Sequence, residues 1–276
     1  MSASPDMSFW DHLDALRGVL FRIVIVVAVL AVASFIAMPW IFDNVIMAPC
    51  SGSFVTYRLF DSLAAATGFA DLASADPDFR VDIVSLELTS QLFIHLSAAF
   101  WAAFMLGFPI IIYLLWGFVS PGLYENEKRG AIRAFVFGNI MFYLGVAVGY
   151  FLIFPLAVRF LANYTLSDAI RPIVSLDSYM DNFFMLLIMM GAVFELPLLA
   201  WIAGKTGLLH RSFFHTYRRH AIVALLIIAA LITPTGDPFT LFLTFIPIYA
   251  LWELSARLVP IDEPDSPEQN ISPATS

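Results

Sequence analysis

The chain has 276 residues, of which 60% are hydrophobic and only 13% charged, with a mean hydropathy of +0.84. That composition excludes an ordinary soluble domain. The formal net charge of −8 does not call for a cationic partner, because much of the acid lies in one loop and in the C-terminal tail; no nucleic-acid partner is expected. The single cysteine, Cys50, cannot form an internal disulfide and reads as a small buried apolar residue.

Six apolar segments follow in chain order. The first lies between Arg22 and Asp43 and ends near Pro39-Trp40. Asp6, Asp11 and Asp14 precede it, and the run is long enough to stay in a membrane, so no cleavable signal peptide is expected. A loop over about 43–91 alternates short apolar runs with Asp, Ser and Pro, which suggests short helices capping a membrane domain. The second segment runs from about Leu92 to Val119, the third from Ala134 to about Val158, and the fourth from about Asn182 to Gly204. The last two, about Ala221 to Ile232 and Phe239 to Trp252, fall short of the ~20 residues that span a hydrocarbon core of ~30 Å. They are either two helices in a thinned bilayer or one re-entrant hairpin, turning at Thr233-Pro234-Thr235-Gly236-Asp237-Pro238.

The positive-inside rule fixes the sides. Arg17 and Arg22 precede the first segment; Lys128, Arg129 and Arg133 lie between the second and third. Lys205, Arg211, Arg218 and Arg219 lie between the fourth and fifth, and Arg257 follows the sixth. The other side carries most of the acids, including Asp43, Asp61, Asp82, Glu87, Asp177 and Asp237. Both termini are therefore expected in the cytoplasm. The expected fold class is an all-α integral membrane protein: a six-helix domain over 1–258, with a disordered acidic tail over 259–276. No internal repeat supports the inverted plan of many transporters.

Glu195 is the most informative residue. It interrupts an uncharged run that reaches from Asp181 to Lys205, where a carboxylate raises the cost of membrane insertion by roughly 2.5 to 3.5 kcal/mol. It faces a partner, a proton path or a water-filled cavity, or else it is a protonated acid bonded to a neighbouring helix for packing alone. A second group of acids, Asp11, Asp14, Glu125 and Glu127, lies on the basic cytoplasmic face. A loop acid is normally a solvated charge. Acids against the orientation pattern also suit a cationic ligand, above all a guanidinium, which pairs bidentately with carboxylates. His12, His95, His210, His215 and His220 make no HExxH spacing, and no GxSxG turn or GxxxxGK[ST] loop occurs. No metal, cofactor or catalytic constellation is expected, and His95 reads as an interfacial or hydrogen-bonded residue.

The chain resembles TatC, the multi-spanning subunit of the Sec-independent twin-arginine protein translocase. The motifs are His12-Leu13…Leu16-Arg17, Ala48-Pro49, Phe118…Pro121-Gly122-Leu123-Tyr124…Glu127-Lys128-Arg129, Phe142-Tyr143…Gly145 and Phe151…Phe154-Pro155-Leu156. Phe194-Glu195-Leu196-Pro197, Thr233-Pro234…Asp237-Pro238 and Ile246-Pro247…Tyr249…Trp252-Glu253 complete the order. The resemblance implies a concave, glove-like arrangement in the bacterial inner membrane that binds twin-arginine signal peptides of folded cargo. It also implies assembly with TatA- and TatB-type single-span subunits, self-association in the receptor complex, and export driven by the proton-motive force without an ATPase of its own. Phe118 and Glu127 would contact the twin-arginine motif, with Glu125, Asp14, Leu16 and Arg17 beside them. Glu195, flanked by Phe194 and Pro197, would face partner helices; Pro49, Pro121, Gly122, Tyr143, Pro155, Pro234 and Asp237 would shape helices and loops. The chain departs from the family's HLxELR pattern at Ala15, where a glutamate is usual, so Asp14, Asp11 or Glu125 would have to supply the second carboxylate. The alternative function is a proton-coupled secondary transporter that uses Glu195 as its carrier.

Overall fold

The computed structural model describes residues 9–67, 79–119, 125–165, 167, 173–233 and 236–259. Ten α-helices appear among them: α1 Phe9–Ile41, α2 Val55–Thr67, α3 Ser90–Val119, α4 Glu125–Val148, α5 Phe154–Asn163, α6 Leu176–Val193, α7 Leu196–Lys205, α8 Arg211–Thr216, α9 Arg218–Ile232 and α10 Pro238–Leu258. Five helical stretches are long and apolar enough to cross a membrane: Leu13–Cys50, Ser90–Phe118, Ile132–Asn163, Leu176–Lys205 and Pro238–Leu258. The 15-residue α9 spans about 22 Å and is as short as its apolar run predicts.

The sixth segment corrects the expectation. With 21 residues, α10 is about 32 Å long and is not a short helix. Its apolar run ends at Trp252, but the helix carries on because Glu253 is neutralised: Arg218 Nη2 lies 2.7 Å from Glu253 Oε1, and the Tyr249 hydroxyl donates to the same oxygen at 2.8 Å. Charge ends an apolar window without ending a helix. The fourth segment is also not one helix, since α6 and α7 are separated at Phe194-Glu195.

Prolines explain most of the irregular backbone. A proline inside a helix has no N–H, so the carbonyl four residues earlier loses its donor, and in hydrocarbon that carbonyl must find another. Pro39 in α1 frees Phe35, whose carbonyl accepts from His95 Nε2 on α3 at 2.9 Å while the two rings stack. Pro109 in α3 frees Met105, which accepts from the Tyr143 hydroxyl of α4 at 3.0 Å. Pro49 frees Val45, which accepts from the Tyr150 hydroxyl at 2.8 Å. Pro155 frees Phe151, which accepts from the Thr56 hydroxyl of α2. Two of these sites lie in π-helical turns, Phe42–Ile46 and Gly149–Ile153, where an extra residue is absorbed beside the proline.

These bonds bind α2 and its flanking loop to the membrane helices, as the loop composition suggests. The buried Tyr57 hydroxyl lies 2.9 Å from the carbonyls of both Pro49 and Pro155, and burial pushes its pKa up, so it stays a neutral donor. Cys50 is buried there too, as a small apolar residue. A two-residue parallel ladder, β1 Ile83–Val84 against β2 Val174–Ser175, joins the loop before α3 to the loop before α6. No sequence signal marked it.

The main core lies between α3, α4, α5, α6, α9 and α10, around Phe154, Phe183, Met190, Ala229 and Ile248. The outer face of α1, by contrast, exposes Leu20, Val24, Val29, Val32 and Ile36. A helix apolar on its exposed face is one that faces lipid.

Candidate functional site

Glu195 is placed by two local rules. Pro197 cannot donate to Val193, which breaks the helix there. The backbone closes instead through Phe194 N–H to Met190 (3.0 Å) and Glu195 N–H to Ala192 (3.1 Å), and Glu195 becomes the residue that caps α7. The carboxylate is thus at a helix break, half-buried, and not in mid-helix as the unbroken apolar run implies.

Glycines on the facing helix bring the carboxylate against backbone. A Cβ on Gly138 of α4 would stand 3.0 Å from Glu195 Oε2 and 2.7 Å from Leu198 Cδ2. One on Gly145 would stand 2.5 Å from the Met190 carbonyl and 2.8 Å from Phe194 Cβ. On the partner helix, Gly191 admits the buried Phe142 ring, with its missing Cβ 2.6 Å from Cε2. Small residues let membrane helices approach closely and raise packing contact. Phe194 and Pro197 are both buried in this seam. Glu195 Oε1 is buried and has no hydrogen-bond partner among the described residues. Chemically the half-buried carboxyl is an acceptor when ionised and also a donor when protonated.

The acids expected at the other site come from the end where α1 begins. α1 and α3 pack antiparallel, with Phe35 against His95 and Leu30 against Gly107. Continuing that register brings Phe118, half-buried at the end of α3, to the level of the first turns of α1. Asp14 and Arg17 are exposed there, and Leu16 is half-buried. α4 opens at the same end with Glu125 and Glu127 in its first turn, whose side chains lie outside the description. Pro121, Gly122, Pro234 and the tail 260–276 lie outside the described residues. Glu195 is not part of this cluster; the two sites are separate.

The remaining motif residues are structural in visible ways. Tyr143, Pro49 and Pro155 act in the carbonyl exchanges described above, and Asp237 caps α10 by accepting from Thr240 N–H at 2.7 Å. Sequence reasoning missed Gly138 and Gly191, the donors Thr56 and Tyr150, and the Arg218–Tyr249–Glu253 triad. The donors had a readable signal: each proline in an apolar run announces a carbonyl four residues earlier that needs a side chain.

Apolar crossing helices, lipid-facing side chains and one carboxylate held at a helix break define a polytopic helical membrane protein with a polar intramembrane contact point. The family model for the Sec-independent protein translocase protein TatC matches residues 11–247, and the chain belongs to that family: it is a component of a Sec-independent protein translocase. It is 31% identical over 277 aligned positions to TatC of Deinococcus radiodurans, covering 99% of this chain and 94% of that one. With TatC of Helicobacter pylori strain J99 it shares 33% over 192 positions, 70% of this chain and 76% of that one. Two solved structures of the twin arginine translocase receptor TatC superpose with TM-scores of 0.68 and 0.71, at 27% and 26% identity. They cover 90% and 91% of this chain and 97% and 100% of theirs.

Proposed function

We propose that the chain is the receptor subunit of a twin-arginine translocase, lying in the inner membrane with both termini in the cytoplasm. Its end with α1's start and α4's start would bind the signal peptides of folded cargo. The observation that carries this reading is the antiparallel α1–α3 register, which brings Phe118, Asp14 and the first turn of α4 to one end. Two segments far apart in sequence, the start of α1 with Asp14 and the start of α4 with Glu125 and Glu127, then offer carboxylates at one end, as two guanidinium groups near a low-dielectric surface require. Glu127 and Phe118 would engage the arginine pair, and Asp14 or Glu125 would stand in for the carboxylate absent at Ala15. The unpartnered Glu195 Oε1 favours a contact with the polar group of a TatA- or TatB-type transmembrane helix, with Phe194 and Pro197 shaping the niche. Self-association of the receptor and use of the proton-motive force follow from the same family reading.

Signal-peptide crosslinking tests it. Each charge-assisted bond contributes roughly 1.5 to 3 kcal/mol, so Glu127→Ala should weaken signal binding more than about tenfold while the protein stays folded. Unchanged crosslinking would remove Glu127 from the site. The double variant Asp14→Asn with Glu125→Gln should bind less than either single variant; parental affinity in the double would reject both as the replacement carboxylate.

A further inference from the structure

A second site lies on the α4–α7 seam, a turn or more from Glu195 toward the end of α7. α4 and α7 run antiparallel, with Gly138 against Leu198 and Glu195. That register sets Arg133, five residues before Gly138, level with Lys205, seven after Leu198. At this level opens a groove of about 220 Å³, lined by Arg133, Ala134, Phe137, Leu198, Trp201 and Leu258. Lys205 is joined to the groove through Trp201, its Nζ 4.4 Å from the centre of that ring. Neither cation is paired with a carboxylate among the described residues, and Arg133 is exposed.

The geometry points to a binding site for an anionic phospholipid, with one acyl chain along Phe137, Leu198 and Trp201 and the headgroup phosphate between Arg133 and Lys205. Three features select that occupant. The groove opens at an end of two crossing helices, where headgroups lie. Its walls are apolar and suit a hydrocarbon chain. Arg133 lines the groove and Lys205 stands over its Trp201 wall, neither in an ion pair among the described residues, and arginine pairs with a phosphate in bidentate geometry. The tryptophan positioned beneath Lys205 belongs at an interface, with its ring in the acyl boundary and its N–H near the headgroups. Basic pockets between transmembrane helices bind anionic headgroups by the same chemistry. This site does not depend on the signal-peptide reading.

Native mass spectrometry of the purified full-length protein, titrated with phosphatidylglycerol or phosphatidylcholine, measures it. Phosphatidylglycerol should bind roughly tenfold or more tightly than phosphatidylcholine, at about 1 kcal/mol per cation near the surface. The double variant Arg133→Gln, Lys205→Gln should lose that preference, and Arg219→Gln, a cation outside the groove, should keep it. Ala134→Trp, which fills the groove and leaves both charges, should also lose the bound lipid. Equal binding of the two lipids by the parent, or an unchanged preference in the double variant, overturns the proposal. A photocrosslinker at Phe137 in membranes gives the second arm: a lipid adduct supports the site, and an adduct to a single-span subunit assigns the groove to a protein helix instead.

Discussion

At the end of the molecule that carries α2, three carbonyls freed by prolines are taken up. Phe35, Val45 and Phe151 each lose a helical donor to a proline and each gain a side chain from another element, His95, Tyr150 and Thr56. Elsewhere, Pro197 frees Val193 at the break between α6 and α7 and Pro247 frees Leu243 in the first half of α10, and no side chain among the described residues donates to either. The first end is cross-linked by hydrogen bonds. The opposite end, with α7 and the last turns of α10, is held by apolar packing, by glycine-mediated contact and by the Arg218–Tyr249–Glu253 triad. The difference separates a fixed platform from positions whose polar groups are left for something else to meet, and Glu195 sits at one of them, beside the freed Val193.

The strongest way to break the comparison is to attack the seam between α4 and α6. Gly145→Val would place a Cβ 2.5 Å from the Met190 carbonyl, a backbone atom that cannot rotate away. Overpacking of this kind destabilises by about 3 kcal/mol, and more when backbone must shift. Loss of monodisperse protein, or a large fall in Tm in detergent, is expected. A normal Tm would mean that the helices are not held at this distance.

Much of this architecture is legible in the sequence, and the exceptions have physical reasons. Long apolar runs gave α1, α3 and the third segment, because burying a membrane-length stretch leaves a helix few alternatives. Asp237 before Pro238 is a helix start readable at sight. The end of α10 was hidden because Glu253 is neutralised by Arg218 and Tyr249, 35 and 4 residues away, and no local window contains both. The break at Glu195 was half-visible, since Pro197 was there to be read, but whether a proline kinks a helix or splits it depends on what packs against it. For the candidate sites, residue type marked Glu195 and the terminal acids. The niche around Glu195 is made by Gly138, Gly145 and Gly191, residues that signal nothing until a neighbouring helix stands beside them.

A smaller effect tests the platform itself. Tyr150→Phe and Thr56→Val each remove one donor and leave a carbonyl in a water-poor site. Hydrogen bonds between membrane helices contribute about 0.6 kcal/mol on average and up to roughly 1.7. Each variant should lower Tm in detergent by a little, and the pair by more. Pro247→Ala gives the counterpart: it returns an N–H to Leu243 in the middle of α10 and should leave Tm level or raise it. A fall in Tm there as large as in Tyr150→Phe would erase the distinction between carbonyls that are taken up and those that are not.

The smallest effect on folding belongs to Glu195, and it sharpens the comparison most. Its Oε1 has no partner among the described residues, so removing the carboxylate breaks no hydrogen bond seen within them. Glu195→Gln and Glu195→Leu should therefore both fold with nearly parental Tm. They part at assembly. The amide still accepts and donates, so a partner's polar side chain keeps its bond, whereas leucine leaves that side chain facing hydrocarbon. At about 0.6 to 1.7 kcal/mol for one interhelical bond, the loss is roughly threefold to twentyfold in partner occupancy. Export of a twin-arginine reporter should survive in the Gln variant and fail or fall in the Leu variant, with co-purification of single-span subunits following the same order. A carboxylate that carries protons behaves otherwise: an amide cannot take up and release a proton, so the two variants would be equally dead for transport while partner co-purification in the Gln variant stayed intact. That pattern would transfer Glu195 from partner contact to proton coupling, and the freed carbonyl of Val193 would then mark a water path and not a docking point.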